Sequence, residues 1–178
     1  MLQKITDFDI LELLLKNDMH VRSIAKVLKA TPSTIMRKLR VLVDENIVDM
    51  KLSGKNTTYY IRDTPEAKSY VLMTEQYKFF KALKSPLLRR ISKEISERTN
   101  GELVILFGSY AKNLATKDSD IDIYVETSDE NLKQSLSAIS LKLSVKTGKF
   151  NKNAPLEKEI IKDHIILSNA ERFYALIK

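Results

Sequence analysis

The sequence predicts an α+β chain built in two parts with a helix between them, and three observations carry that expectation. Residues 1–63 read as short helices followed by two β-rich runs. Residues 64–84 hold one long helical stretch with an aromatic stripe, and residues 85–178 alternate amphipathic helices with short apolar runs around a strand, a glycine turn and a second strand. At 43% hydrophobic and 30% charged residues, the composition is that of a folded globular chain and not a disordered one. A length of 178 residues leaves each part a modest core.

In the first part, Asp7 to Lys16 puts Ile10, Leu11, Leu14 and Leu15 on one helical stripe, with Thr6 or Asp7 as the N-cap. After a break at 17–20, Val21 to Lys29 gives a second short helix through Ile24, Ala25 and Leu28. The turn Ala30-Thr31-Pro32-Ser33 opens a third helix, because Thr31 can cap it and Pro32 suits the first helical position, where a missing N–H is harmless. That helix is expected to run to about Glu45, with Ile35, Leu39 and Leu42 inward and Ser33, Thr34, Arg37 and Lys38 outward near its start. The runs Ile47–Leu52 and Thr57–Ile61 flank Ser53-Gly54-Lys55-Asn56, a hairpin signal.

Helix, helix, capped helix, hairpin resembles the winged helix-turn-helix of MarR- and ArsR-like transcription regulators, over residues 1–62. The resemblance implies double-stranded DNA as partner, with the third helix in the major groove and the wing on backbone or minor groove. By position, Ser33, Thr34, Arg37 and Lys38 would face DNA and Lys55 would occupy the wing tip. Protein docking is the alternative use of such a module.

Thr64-Pro65 starts the linking helix, predicted through about Leu83, on which Tyr70, Met73, Tyr77 and Phe80 form a stripe that has to be covered. Packing within the chain or a homodimer through the 65–84 helix would each cover it. Ser85-Pro86 begins the next helix, with Leu87, Leu88, Ile91 and Ile95 inward and Asn100-Gly101 as its stop. Further on, a helix is expected from Glu130 to Leu143, a strand from Leu143 to Phe150 and a short helix from Leu156 to Asp163. The runs His164–Leu167 and Phe173–Ile177 are either a last strand and turn or helix ends.

The chemistry concentrates between Leu103 and Val125. A buried strand, LVILF, meets Gly108 and Ser109, and a second strand begins near Asp120. Asp120 and Asp122 alternate with Ile121 and Ile123, so both carboxylates share one face while the isoleucines enter the core. Two carboxylates so placed repel unless a cation lies between them, and hard oxygen donors suit Mg²⁺, which keeps few protein ligands and takes the rest from substrate phosphates. Gly108 would let backbone approach a phosphate tail, with Ser109 adding a hydroxyl and Lys112 a charge. A nucleoside triphosphate is the expected ligand.

Gly108-Ser109-Tyr110-Ala111-Lys112 followed by Ser119-Asp120-Ile121-Asp122-Ile123 resembles the signature of minimal nucleotidyltransferases of the DNA polymerase β superfamily, in which Arg is commoner where Lys112 stands. The likeness covers roughly residues 85–178 and implies a mixed sheet flanked by helices, with transfer of a nucleotidyl group to a hydroxyl acceptor. Asp120 and Asp122 would then be catalytic and metal-binding, and Gly108, Ser109 and Lys112 nucleotide-binding. Relatives also carry a third carboxylate on a later strand, whereas Leu143–Phe150 holds no acid, only Lys146 and Lys149. Two readings follow: an active transferase, with a protein acceptor or toxin-like partner among its targets, or a DNA-binding regulator or antitoxin-like protein whose second domain senses nucleotide or serves as an interaction module.

Other features narrow the setting. No cysteine is present, so disulfides and thiolate zinc sites are excluded. His20 and His164 have no second histidine at metal spacing. Two aspartates by position nine argue against a secretion signal, and no run approaches the length of a membrane span, so a cytoplasmic protein with no membrane contact is expected. The net charge of +7, of which +4 falls in the first 62 residues, suits a nucleic-acid or polyphosphate partner without demanding one.

Overall fold

The computed structural model describes residues 5–53 and 56–177, and the chain divides into two compact units, Met1–Tyr77 and Lys78–Lys178. Their boundary falls inside the linking helix. Among the described residues no helix is long and apolar enough to cross a membrane.

The first unit begins with α1 (Asp7–Leu14), whose N-terminus is closed reciprocally: Asp9 N–H donates to the Thr6 hydroxyl at 3.2 Å, while Thr6 N–H donates to the Asp9 carboxylate at 2.8 Å. The break that follows contains a strand not expected from the sequence, β1 (Met19–His20), too short to show a period. Next come α2 (Val21–Val27), α3 (Pro32–Asp44), β2 (Val48–Ser53) and β3 (Asn56–Ile61), and the sheet order is β1-β3-β2, antiparallel throughout. Thr31 caps α3 by accepting the Thr34 N–H at 3.2 Å, with Pro32 at the first turn. Ile10, Leu11, Ile24, Ile35, Leu39, Leu42 and Ile47 form the core, each sealed from solvent. The wing turn, with Lys55, lies outside the described residues.

The linking helix α4 (Pro65–Ala82) is covered along half of its stripe. Tyr70 and Tyr77 pack their rings against Phe8 at centroid distances of 6.2 and 5.3 Å, whereas Met73 and Phe80 remain 50% and 64% exposed.

In the second unit, α5 (Pro86–Arg98) is capped by Ser85 and leads to β4 (Val104–Phe107), a one-turn α6 (Gly108–Ala111) and β5 (Ile121–Glu126). Then follow α7 (Glu130–Ser137), β6 (Leu143–Gly148), α8 (Pro155–Lys162), β7 (Ile165–Ser168) and α9 (Ala170–Ile177). The sheet order is β6-β5-β4-β7, with β5 and β6 parallel and the other pairs antiparallel, hence mixed. Leu88, Ile91, Ile95 and Leu136 of α5 and α7 cover the face bearing Ile121, Ile123 and Val125. On the opposite face Tyr124, Phe150 and Phe173 of α9 meet edge to face at 5.6 and 5.9 Å.

One boundary needs correction. The helix expected to reach Leu143 stops at Ser137, since Leu143 pairs with Ile121 in the parallel ladder and must be extended. Its leucine spacing was accidental: Leu136 ends one element and Leu143 begins another. The two apolar runs near the C-terminus resolve as β7 and α9.

Candidate functional site

The acidic pair is set by the β4–β5 ladder. Phe107 stands opposite Asp122, so the carboxylate emerges where β4 ends and Gly108 begins. Gly108 takes φ +68, and a Cβ built there would lie 2.5 Å from the Asp122 carboxylate oxygen. The backbone favours glycine, since an L side chain would be strained in that conformation, and a Cβ there would also push the Asp122 carboxylate from its place. Ile121 and Ile123 are sealed in the core, Asp122 is half-buried on the other face and Asp120 is exposed immediately before the strand. Within the described residues neither carboxylate, nor the half-buried Ser109 hydroxyl, has a side-chain partner.

Around the pair, the loop from Lys112 to Asp120 is pinned by Leu114 N–H to the Ser109 carbonyl at 2.9 Å, by Thr116 N–H to the Ser119 hydroxyl at 2.9 Å, and by the Lys142 ammonium donating to the Lys117 carbonyl. Lys112 does not stand free to meet an anion. Its ammonium is 2.7 Å from Glu159 of α8, and that hydrogen bond raises its pKa above the usual lysine range. On the other side of β5, the parallel register places Ser144 beside Asp122 and Lys146 beside Tyr124. The strand position next to Asp122 thus carries a hydroxyl and no third carboxylate.

The donor set suits Mg²⁺. Two carboxylates with no side-chain partner among the described residues lie at the start of β5, serine hydroxyls stand at Ser109 and Ser144, and Gly108 leaves room beside Asp122. Among the described residues no three His, Cys, Asp or Glu side chains gather to hold a metal without help from a ligand. Two carboxylates completed by substrate phosphates is the arrangement Mg²⁺ favours.

Farther along the same face, Tyr124 donates its hydroxyl to the Gly148 carbonyl at 2.9 Å, and burial, reinforced by the charges of Glu157 and Glu126, pushes its pKa up to about 12. Glu126 accepts two N–H donors from Arg172, at 2.8 and 2.9 Å.

In the first unit, the outward start of α3 carries a hydroxyl cluster, Thr31 with Ser33 at 3.0 Å and with Thr34 at 2.9 Å. Ser33 and Arg37 are exposed, but Lys38 turns to Asp7 of α1 at 2.9 Å. The next exposed cation on the Arg37 side is Arg40, three residues on, which the sequence reading passed over. Its signal was there: i, i+3 spacing from Arg37 keeps it on that face. Glu159, Ser144 and Arg172 had no local signal, since each reaches its place through tertiary pairing.

Comparison with known proteins agrees with both halves. Residues 88–175 match the nucleotidyltransferase domain, and residues 8–50 match the bacterial regulatory protein, arsR family. Among solved structures, the transcriptional repressor BigR from Xylella fastidiosa is 18% identical with a TM-score of 0.38, the alignment covering 44% of this chain and 75% of that one. The adhesin competence repressor AdcR from Streptococcus pyogenes is 17% identical with a TM-score of 0.34, covering 53% and 79%. ZitR from Lactococcus lactis, solved in complex with DNA, is 21% identical with a TM-score of 0.32, covering 53% and 73%. No curated protein matches this chain. The chain therefore carries a helix-turn-helix segment similar to the arsR family ahead of a segment similar to the nucleotidyltransferase domain.

Proposed function

We propose that the second unit binds a nucleoside triphosphate with Mg²⁺ and passes its nucleotidyl group to a hydroxyl acceptor, while the first unit addresses the protein to double-stranded DNA. The observation that carries this reading is the contact geometry of Gly108 and Asp122: a glycine at φ +68 kept clear beside a carboxylate that has no side-chain partner among the described residues.

Asp120 and Asp122 would hold the ion, which when bound supplies charge neutralisation for the phosphates. Ser109 would donate its hydroxyl to a phosphate oxygen, and Gly108 would admit the tail against the backbone. Lys112 would contribute only after leaving Glu159. The transfer forms an ester bond between the acceptor oxygen and the α-phosphorus and breaks the bond to pyrophosphate, with the acceptor's proton released to solvent or to the leaving group. Ser144 cannot take that proton at neutral pH, which favours slow transfer.

A second reading rests on that residue. With a hydroxyl beside Asp122 and Lys146 next along β6, the domain could retain nucleotide binding without turnover and act as a sensor in a regulator. Incubation with α-labelled ATP and Mg²⁺, with and without cell extract, separates the two. Label moved to an acceptor, and lost in Asp120→Asn, supports transfer; saturable binding without labelled product supports the sensor. Label transfer undiminished in Asp120→Asn would refute the site.

For the first unit, duplex DNA affinity should fall with salt, and Arg37→Ala should make the log–log slope shallower by about one if Arg37 meets a phosphate. A salt-independent association would point to protein docking. A homodimer through Met73 and Phe80 of α4, a toxin-like or other protein acceptor, and a cytoplasmic setting that supplies ATP and Mg²⁺ complete the proposal; light scattering of Phe80→Ser against the parent tests the dimer.

A further inference from the structure

A cavity of about 570 Å³ opens at the end of the second unit away from the acid pair. Its wall includes Ser168, which pairs with Val104 at the start of β4, whereas Gly108 follows the far end of that strand. Four residues of strand separate the two places, roughly 10 Å or more at 3.3 Å per residue. Ile95 and Leu167 of the cavity also belong to the core on the Ile121 and Ile123 face of the sheet, whereas Asp122 leaves β5 on the opposite face.

The lining divides by chemistry. Phe79 on the last turn of α4 and Leu83 just beyond it, with Ile95 of α5 and Leu167 of β7, give apolar walls. Along α5, Arg89, Ser92 and Lys93 fall at i, i+3 and i+4 and so share one face beside those walls. Arg89 is held in place, since its Nε–H donates to the Leu83 carbonyl at 3.1 Å, and this leaves its terminal N–H groups available. Lys93 meets Glu97 at 3.8 Å with both side chains mostly exposed, a loose pair that a ligand can replace. Farther along α5, the exposed Ser96 and the half-buried Thr99 donate their hydroxyls to carbonyls of their own helix, at 2.7 and 3.0 Å, and present only acceptor oxygens. Donors therefore cluster at one place, beside apolar walls, in a cavity of the size that takes small molecules.

We propose that this cavity binds a small amphiphile with one anionic head, its phosphate or carboxylate gripped by Arg89, Ser92 and Lys93 and its short apolar body laid against Phe79, Leu83, Ile95 and Leu167. The site is independent of the nucleotide reading. A ligand there touches α4, α5 and β7 at once and would stabilise the end of the sheet remote from the acids.

Calorimetric titration of the full chain in EDTA, without nucleotide, tests it with octyl phosphate and octanoate below their micellar concentrations. One-site saturable binding of at least one of them is expected, at least ten-fold tighter than octan-1-ol. It should weaken at least ten-fold in the Arg89→Gln/Lys93→Gln variant, whose side chains are exposed enough to leave folding intact, and vanish in Ser96→Phe, which fills the cavity. Asp122→Asn should bind as the parent does. No saturable binding of either anion, equal binding of the alcohol, undiminished binding in the charge variant, or loss in Asp122→Asn would each overturn the proposal. If Ser96→Phe fails to fold by circular dichroism, the charge variant and the alcohol decide the matter.

Discussion

Asp122 and Glu126 leave the same strand on the same face, four residues apart, and the protein treats them oppositely. Glu126 is clasped by both arms of Arg172, and Tyr124 between the two acids is sealed and hydrogen-bonded. Asp122 is given a glycine, a neighbouring serine and no side-chain partner among the described residues. Burial and pairing finish one end of β5 as structure, while the other end is left as an unspent charge. A period of two decides which way a side chain points; the neighbouring strands and helices decide whether it is used up.

The sharpest way to break this contrast is Gly108→Ala. It forces an L residue to φ +68 and places a methyl 2.5 Å from the Asp122 oxygen, so a loss of about 2–4 kcal/mol is expected in denaturant unfolding. A variant as stable as the parent would mean the glycine is not needed for the acid.

Next in size is alkaline unfolding. The Tyr124 pKa is raised from 10.0 to about 12, so between those values the folded chain keeps a proton that the unfolded chain has lost. Stability should therefore be fully present below pH 10 and fall as pH rises toward 12, with a slope of up to about 1.4 kcal/mol per pH unit from this group. Tyr124→Phe should flatten that slope, at a loss of about 1 kcal/mol near neutrality because the Gly148 carbonyl loses its donor. An unchanged slope in this variant would assign the alkaline transition elsewhere.

Glu126→Gln should lower stability by about 0.5–1 kcal/mol, a modest figure because Arg172 is nearly half exposed and its charge is screened. The effect should shrink in high salt. Smallest is Asp122→Asn, within about 0.5 kcal/mol of the parent in thermal unfolding, since no partner is lost. The same variant should lose any stabilisation by Mn²⁺ with ATP. A large loss of stability without ligand would show that Asp122 belongs with Glu126 as a structural residue.

Much of this was legible beforehand. Thr31-Pro32 announced α3, Ser85-Pro86 announced α5, and the alternation of Asp120, Ile121, Asp122 and Ile123 fixed both faces of β5, because caps and strand periods are local properties. What escaped depends on tertiary pairing. Strand β1 exists only because Met19 and His20 meet Tyr59 and Thr58. The end of α7 is set by the partner of Leu143 across the sheet, and the diversion of Lys38 to Asp7 and of Lys112 to Glu159 spans 31 and 47 residues.

That last pair has a further consequence. With Glu159 already holding the lysine, every anion that approaches must outbid a resident carboxylate, and one weakly charged group has little with which to do so. Under the proposed reading, α8 would then act as a gatekeeper by charge, turning inorganic phosphate away while a full triphosphate tail displaces Glu159. Glu159→Gln would trade that discrimination for indiscriminate retention of small anions.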